Sequence, residues 1–273
     1  MKRNRRNRIL WMVILGVIAL ATLFPMLWMA NSSFKVEGEI YQDPPTWVPQ
    51  QFTLKNYESL FNRFHFGILT RNSVIISLAT VAISMIFGVT AAFGFSRYPF
   101  PGSNFLLGAL LFTRMVTPSS LVVPLFTIMQ NLGRLNTLDS IIVGVAVLNL
   151  PFVVWIMKPF FDEIPRDIEE AGELDGLSLV SVFWKVALPM AAPGLFTVFL
   201  FSFIAGWTEL LLGITFSTIP EAMPLTAGLM QMQTGYQIFW GPMMAGGIYL
   251  SIPTFIISFA LQKYLVKGLR AGY

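Results

Sequence analysis

Seven of the 14 acidic residues of this 273-residue chain fall between Asp162 and Asp175. The stretch 161–189 reads FDEIPRDIEEAGELDGLSLVSVFWKVALP, and almost everything around it is apolar. Two further ionisable residues, Arg114 and Glu209, sit inside apolar runs, where a charge is costly unless it meets a partner, water or a pathway. None of these spacings builds a catalytic site. There is no H-E-x-x-H, no Walker lysine loop and no G-x-S-x-G elbow. Histidine is limited to His65, in a loop without neighbouring ligands, and reads as an ordinary surface residue. Cysteine is absent, which excludes disulfides and cysteine metal sites. The chain reads as a non-enzyme without a cofactor of its own. If ATP drives its work, the hydrolysing protein is another chain.

The acidic stretch must be held by helices. Pro165 suits a first helical turn, and the acids behind it suit a helix N-terminus. Phe161, Ile164, Ile168 and Ala171 recur at spacings of three and four and form one apolar stripe. Gly176 can end the helix in a left-handed conformation. Ser178 then offers an N-cap for a second helix carrying Val182, Phe183 and Val186, and Pro189 and Pro193 mark entry to the next element. The expectation is a helix–turn–helix with Ala171, Gly172 and Gly176 at its elbow. A helix lying on lipid usually carries Lys and Arg. This one is acidic, so a surface that docks on another protein accounts better for stripe and carboxylates together.

The rest of the chain is built for a bilayer. It is 55% hydrophobic and only 12% charged, against about 25% charged in soluble domains, and its mean hydropathy is +0.67. One membrane domain over residues 1–273 is expected, all-α, with six transmembrane helices. Five basic residues within 2–8 precede the apolar run Ile9–Ala30, which is longer than a signal-peptide core and lacks a small-residue cleavage pattern. A retained first span is expected. Residues 34–70, broken by Asp43-Pro44-Pro45 and Pro49, read as an extracytoplasmic loop with a short helix at Leu54–Phe61. A second helix runs over about 72–95, with small residues Gly88, Ala91, Ala92 and Gly94 for close packing. Ser96-Arg97-Tyr98-Pro99 begins a tight basic connection. A third helix, about 105–125, holds Arg114 and a possible kink at Pro118. A fourth, 140–157, is interrupted by Pro151. A fifth, 190–212, carries Glu209 near its outer end. Residues 213–240 form a second outer loop with a short helix or re-entrant segment near 225–232, and the sixth span is 242–265. For Arg114 and Glu209 two roles stand open, a structural ion pair or carbonyl contact and a place in a translocation path.

Charge counting orients this layout. With both termini inside, the inner segments collect 12 Lys and Arg and the outer segments five (Lys35, Lys55, Arg63, Arg71, Arg134), so by the positive-inside rule the acidic segment, 159–190, is cytoplasmic. The basic residues form no single stripe, which argues against a nucleic-acid partner.

At this point the sequence closely resembles the permease subunits of bacterial ABC importers, in the carbohydrate-uptake family that contains the maltose permease subunit MalG. The resemblance rests on the loop Glu170-Ala171-Gly172-Glu173-Leu174-Asp175-Gly176 with Leu188-Pro189 following. It extends through Asn56-Tyr57, Asn72-Ser73, Pro124-Leu125-Phe126, Leu132-Gly133-Arg134-Leu135-Asn136-Thr137, Pro151-Phe152, Phe160-Phe161-Asp162-Glu163-Ile164-Pro165, Trp207-Thr208-Glu209 and Gly268-Leu269-Arg270-Ala271-Gly272. Two positions depart from the pattern. Gly172 stands where the family usually has Ala, which loosens the first helix, and Thr208 stands where Asn is commoner.

The resemblance implies the importer permease fold in the cytoplasmic membrane and a sugar as the solute. It implies a coupling role for Glu170, Ala171, Gly172, Asp175, Gly176, Leu188 and Pro189 against a cytoplasmic ATPase. The implied partners are two ATPase copies carrying ATP and Mg2+, a second and different permease, an extracytoplasmic solute-binding protein and membrane lipid. It also implies a tail contact over Lys267–Tyr273 and puts most membrane sugar contacts on the partner permease. Trp207, Tyr236 and Trp240 could touch solute or binding protein or anchor the interface. A permease for a non-sugar solute and an ion-coupled secondary carrier are the alternatives.

Overall fold

A computed structural model describes the backbone of residues 2–271 and the side chains of residues 11–260; the expected tail contact over Lys267–Tyr273 lies outside the described side chains. The described chain is helical apart from loops and one isolated β-bridge between Gln233 and Ile238. In order the helices of six residues or more are α1 (Lys2–Ser33), α2 (Lys55–Asn62), α3 (Phe66–Arg97, with a π-helical turn at Ser84–Val89), α4 (Ser103–Thr113) and α5 (Pro118–Asn131). There follow α6 (Leu138–Asp162), α7 (Arg166–Leu174), α8 (Leu179–Met190), α9 (Ala192–Trp207), α10 (Leu211–Phe216), α11 (Leu225–Met230) and α12 (Trp240–Ala271). Five segments are long and apolar enough to cross a membrane, and a sixth span results if α4 and α5, bent by 97°, are counted as one. The chain is thus an all-α, multi-pass membrane protein.

Three expected helices differ in the structure. The third is not continuous. Pro118 has no N–H and drives Thr117 out of helical geometry (ψ 136°), so the chain breaks after Thr113 and restarts at Pro118. The fourth is not interrupted, since α6 runs through Pro151 and Pro159. Pro151 is buried and shares a cavity wall with Leu107, Leu110 and Leu111 of α4; helix packing of this kind tolerates a proline within a span. The fifth stops at Trp207 and restarts at Leu211. Glu209 lies in that break, where its carboxylate accepts the Leu212 N–H at 2.8 Å and its carbonyl accepts the Thr226 hydroxyl.

The chain divides into two compact units, Met1–Phe66 with Leu229–Ile252 and Gly67–Gly228 with Pro253–Tyr273. In the first, Asn56 ties down the end of α1 by donating to the Ser33 and Lys35 carbonyls, each at 2.8 Å. Close to it, Glu39 accepts from the Thr46 hydroxyl (2.6 Å) and the Gln50 amide (2.9 Å); the Thr46 hydroxyl leads in holding this carboxyl below its usual range. His65 is exposed, as expected, and Tyr236 is fully exposed.

The second unit packs α3, α6 and α9 along a seam of small and polar residues. On α3 the buried positions include Asn72, Ser73, Ile76, Ser77, Thr80 and Ser84, which recur at helical spacing. Gly206 of α9 meets this seam so closely that an added Cβ would lie 2.6 Å from the Ser77 Cα. Gly88 is equally tight against Val153, whereas Gly94, expected to share that role, faces open space. Asn149 of α6 donates to Ser84 Oγ at 2.9 Å and to Ser202 Oγ at 2.7 Å, which joins three helices at one point. Trp207 is buried and stacked on Phe203, so it offers no platform to a solute or a partner.

Candidate functional site

The acidic segment folds as expected into two helices with a sharp elbow. Pro165 directly precedes α7 (ψ 133°) rather than sitting inside its first turn. Gly176 takes φ +87°, a left-handed conformation that costs a side chain with a Cβ but not glycine. Its N–H reaches the Glu173 carbonyl at 2.9 Å, and the Leu177 N–H returns to the Gly172 carbonyl at 3.1 Å, which closes the end of α7. Ser178 caps α8 by accepting the Ser181 N–H. The two helices touch at Gly172, where an added Cβ would meet Leu177, Val186 and Val182 at 3.5–3.7 Å.

The expected apolar stripe is split. Phe161 and Ile164 are buried, but Ile168 and Ala171 of α7 are exposed. The reason lies in a charged residue. Glu169, not an apolar residue, turns α7 toward the bundle, where it meets Arg97 at the end of α3. Arg97 Nε lies 2.9 Å from both carboxylate oxygens, and Nη2 lies 2.7 Å from Oε1. The two side chains are only 7% and 11% exposed. Arg97 Nη2 also donates to the Ile164 carbonyl, and Nη1 to Ser96 Oγ, both at 3.0 Å. Ser96 Oγ donates to Asp162 at 2.6 Å, and Lys158 pairs with the other Asp162 oxygen at 2.6 Å. One polar chain therefore fastens α7 to the ends of α3 and α6. Its signal in the sequence was Ser96-Arg97 at the end of an apolar run, an arginine whose acid lies 72 residues away.

A second fastening holds α8. Phe183 packs on Phe93 of α3 at 4.9 Å between ring centroids, and Phe93 in turn meets Phe161 at 5.3 Å. Val182 and Ala187 are buried on the same face. The elbow and the helix ends that flank it are bare. Leu174 is 88% exposed, and Ile168, Leu179 and Val180 are exposed too, whereas Trp184, also exposed, shares a cavity wall with Met85, Ile86 and Val89 of α3. Glu170, Glu173 and Asp175 are exposed among them, as is Ala171, while Leu188 is half-buried and Pro189 exposed near the end of α8. The segment is thus fixed to the bundle through Glu169 and Phe183 and leaves an apolar ridge edged by carboxylates exposed around its elbow.

Arg114 and Glu209 are not brought together. The ion pairs among the described residues are Arg97–Glu169, Arg134–Asp139 and Lys158–Asp162. Glu209 is engaged with backbone at the α9–α10 break. Arg114 sits at the α4–α5 bend with its guanidinium 4.9 Å from the Phe152 ring centroid. No group of three or more His, Cys, Asp or Glu could hold a metal ion among the described residues.

Residues 84–271 match the family described as binding-protein-dependent transport system inner membrane component. The chain is 33% identical over 264 residues to the probable ABC transporter permease protein YurM of Bacillus subtilis (strain 168), which covers 95% of this chain and 86% of that protein. It is 32% identical to the trehalose/maltose transport system permease protein MalG of Thermococcus litoralis, over 100% of this chain and 98% of that protein. In fold it is similar to a chain of a bacterial ABC transporter involved in the import of the acidic polysaccharide alginate, with a TM-score of 0.82 over 97% of this chain and 98% of that one, at 23% identity.

Proposed function

Because the chain belongs to the family of inner membrane components of binding-protein-dependent transport systems, a permease subunit that moves a solute across a membrane, we propose that it serves a carbohydrate importer and is driven through α7 and α8. The observation that carries the coupling reading is a segment fastened to the bundle through Arg97–Glu169 and Phe183 that leaves the ridge of Ile168, Leu174, Leu179 and Val180 exposed around its elbow. Such a ridge fits a groove on a cytoplasmic ATPase subunit. Glu170 and Asp175 supply charge at its edge, and Gly176 sets the angle of the elbow. Leu188 and Pro189 carry the motion into α9.

In this reading two ATPase copies bind ATP and Mg2+, a second permease completes the path, and a solute-binding protein docks on 34–70 and 213–240 outside. Both termini and 159–190 face the cytoplasm, as the positive-inside count supports, with six spans in the cell membrane. Closure of the ATPase pair biases a two-state helix bundle between inward and outward access through contacts that differ between the states. The solute class is supported by the trehalose/maltose permease of T. litoralis.

Two substitutions test the coupling. Glu170→Lys is expected to lower recovery of the ATPase with the affinity-purified permease, and Gly176→Val to leave membrane insertion intact while separating ATP hydrolysis from uptake. Stoichiometric ATPase recovery in the first and sugar-stimulated hydrolysis with normal uptake in the second would overturn the reading.

A further inference from the structure

The bend between α4 and α5 forms an open cleft of about 450 Å³, walled by Leu110, Val116, Leu121, Val147 and Pro151 with the exposed Arg114 among them. That volume lies within the range of small-molecule sites, about 300–1,000 Å³. The walls are apolar, and the guanidinium is the strong donor. Phe152 holds it face-on, a contact that seats the cation while leaving its N–H edge available. Among the described residues that edge meets neither a carboxylate nor another acceptor.

Two rulers give the depth of this group. The 11 residues of α4, at about 1.5 Å each, carry the chain about 16 Å from Ser103 to the bend. On α6, Phe152 stands ten residues before the final Asp162, about 15 Å along that axis. Leu107 and Leu110 share a second cavity with Val154, Lys158 and Asp162, so the helices run side by side from the same end. A hydrocarbon core is about 30 Å thick, and both rulers put the guanidinium near its middle. Lipid phosphates lie at the two faces, too far for this side chain. A charge at that depth marks a pathway unless it is paired.

We infer that Arg114, seated on Phe152, is a solute subsite on this chain, donating paired N–H groups to oxygens of a polyhydroxylated solute as it passes the α4–α5 bend. Adjacent hydroxyls, or a carboxylate where the sugar is acidic, match the planar fork. The inference rests on the importer reading above. It goes beyond that reading in giving this subunit a direct part in holding the solute.

The chain contains no cysteine, so Arg114→Cys introduces its sole thiol. In the full importer in liposomes, a membrane-impermeant maleimide is expected to label this chain at residue 114, read by mass spectrometry. With trehalose as probe, and an alginate oligosaccharide as its acidic counterpart, Arg114→Gln is expected to lower uptake per ATP hydrolysed by about tenfold, the weight of one or two charged hydrogen bonds. Binding-protein-stimulated hydrolysis stays within about twofold of the unaltered complex in that outcome, and Arg114→Lys recovers part of the uptake where Arg114→Met recovers none. An unlabelled thiol overturns the inference, because residue 114 then faces lipid or protein. An unchanged uptake ratio in Arg114→Gln overturns it as well, and so does loss of the second permease on purification, which would make Arg114 an inter-subunit ion pair. If the unaltered complex lacks an ATPase or transports neither sugar, the importer or carbohydrate reading fails instead, and the labelling result still decides whether residue 114 lines a water-accessible path.

Discussion

Two polar joints cross the helices of the 67–228 unit, and they are built from opposite chemistries. At the centre, Asn149 holds Ser84 and Ser202 with uncharged hydrogen bonds, beside a glycine crossing with no room to move at Gly206. At the end of the bundle, Arg97 holds Glu169 through three contacts of 2.7–2.9 Å, with Ser96, Asp162 and Lys158 behind it. Short neutral side chains fix helices at one spacing, since a small shift loses the bond. A long arginine with a planar fork can keep its partner while the backbone behind it tilts. The central joint is suited to keeping α3, α6 and α9 as one body, and the charged joint to holding α7 on that body through a tilt.

The charged joint is expected to give the largest effect. Arg97→Met leaves Glu169 buried without a partner, and breaking a buried pair costs about 3–5 kcal/mol. A fall in the thermal unfolding midpoint of the detergent-purified complex, with faster proteolysis inside α7, is the expected outcome. Replacing both residues, Arg97→Met with Glu169→Met, is expected to restore most of the stability, because two apolar groups of similar volume leave no stranded charge, but not the coupling of hydrolysis to uptake. A double variant that couples normally would mean that α7 needs only apolar packing there, and the contrast between the joints would lose its meaning.

The central joint comes next. In Gly206→Ala the new methyl meets the Ser77 Cα at 2.6 Å, and backbone cannot swing aside as a side chain can. Overpacking of this kind costs about 1–3 kcal/mol. The smaller loss belongs to Asn149→Ala, about 1–2 kcal/mol, because Ser84 and Ser202 keep hydroxyls that can turn to nearby carbonyls. Both changes are expected to lower the unfolding midpoint without altering the ratio of uptake to hydrolysis. A changed ratio in either would show that the centre moves during transport.

Much of this was legible in the sequence, and the reasons for the remainder are physical. Apolar length gave the spans, and the left-handed glycine and serine cap of the elbow were readable because local geometry alone demands them. The breaks near Arg114 and Glu209 were harder. Pro118 breaks its span and Pro151 does not, and the difference lies in what packs against each, which sequence spacing does not contain. Arg97–Glu169 escaped notice for a related reason. A charge at a helix end reads as solvated, and only tertiary structure brings its partner from 72 positions away. The apolar stripe of α7 was visible and read with its carboxylates as a docking surface, but Phe161 and Ile164, counted in that stripe, are buried in the bundle. Here a carboxylate occupies the inward position and leaves the apolar side outward.

The smallest expected effect separates two glycines that look alike in sequence. Gly206 is in contact with backbone; Gly172 is not. An added Cβ at Gly172 would find Leu177, Val186 and Val182 at 3.5–3.7 Å, ordinary contact distances, and its backbone is helical without a positive φ. Alanine there removes backbone freedom from the unfolded chain and adds a methyl to the α7–α8 contact. Gly172→Ala is therefore expected to stabilise by about 0.5–1 kcal/mol, seen as a small rise in the unfolding midpoint. If α7 is a lever, a stiffer lever coupled to the same ridge should leave ATPase recovery unchanged and keep or raise uptake per ATP. A lower ratio would mean that the extra freedom at Gly172 is part of the stroke, and that the joint bends within α7 as well as at Gly176.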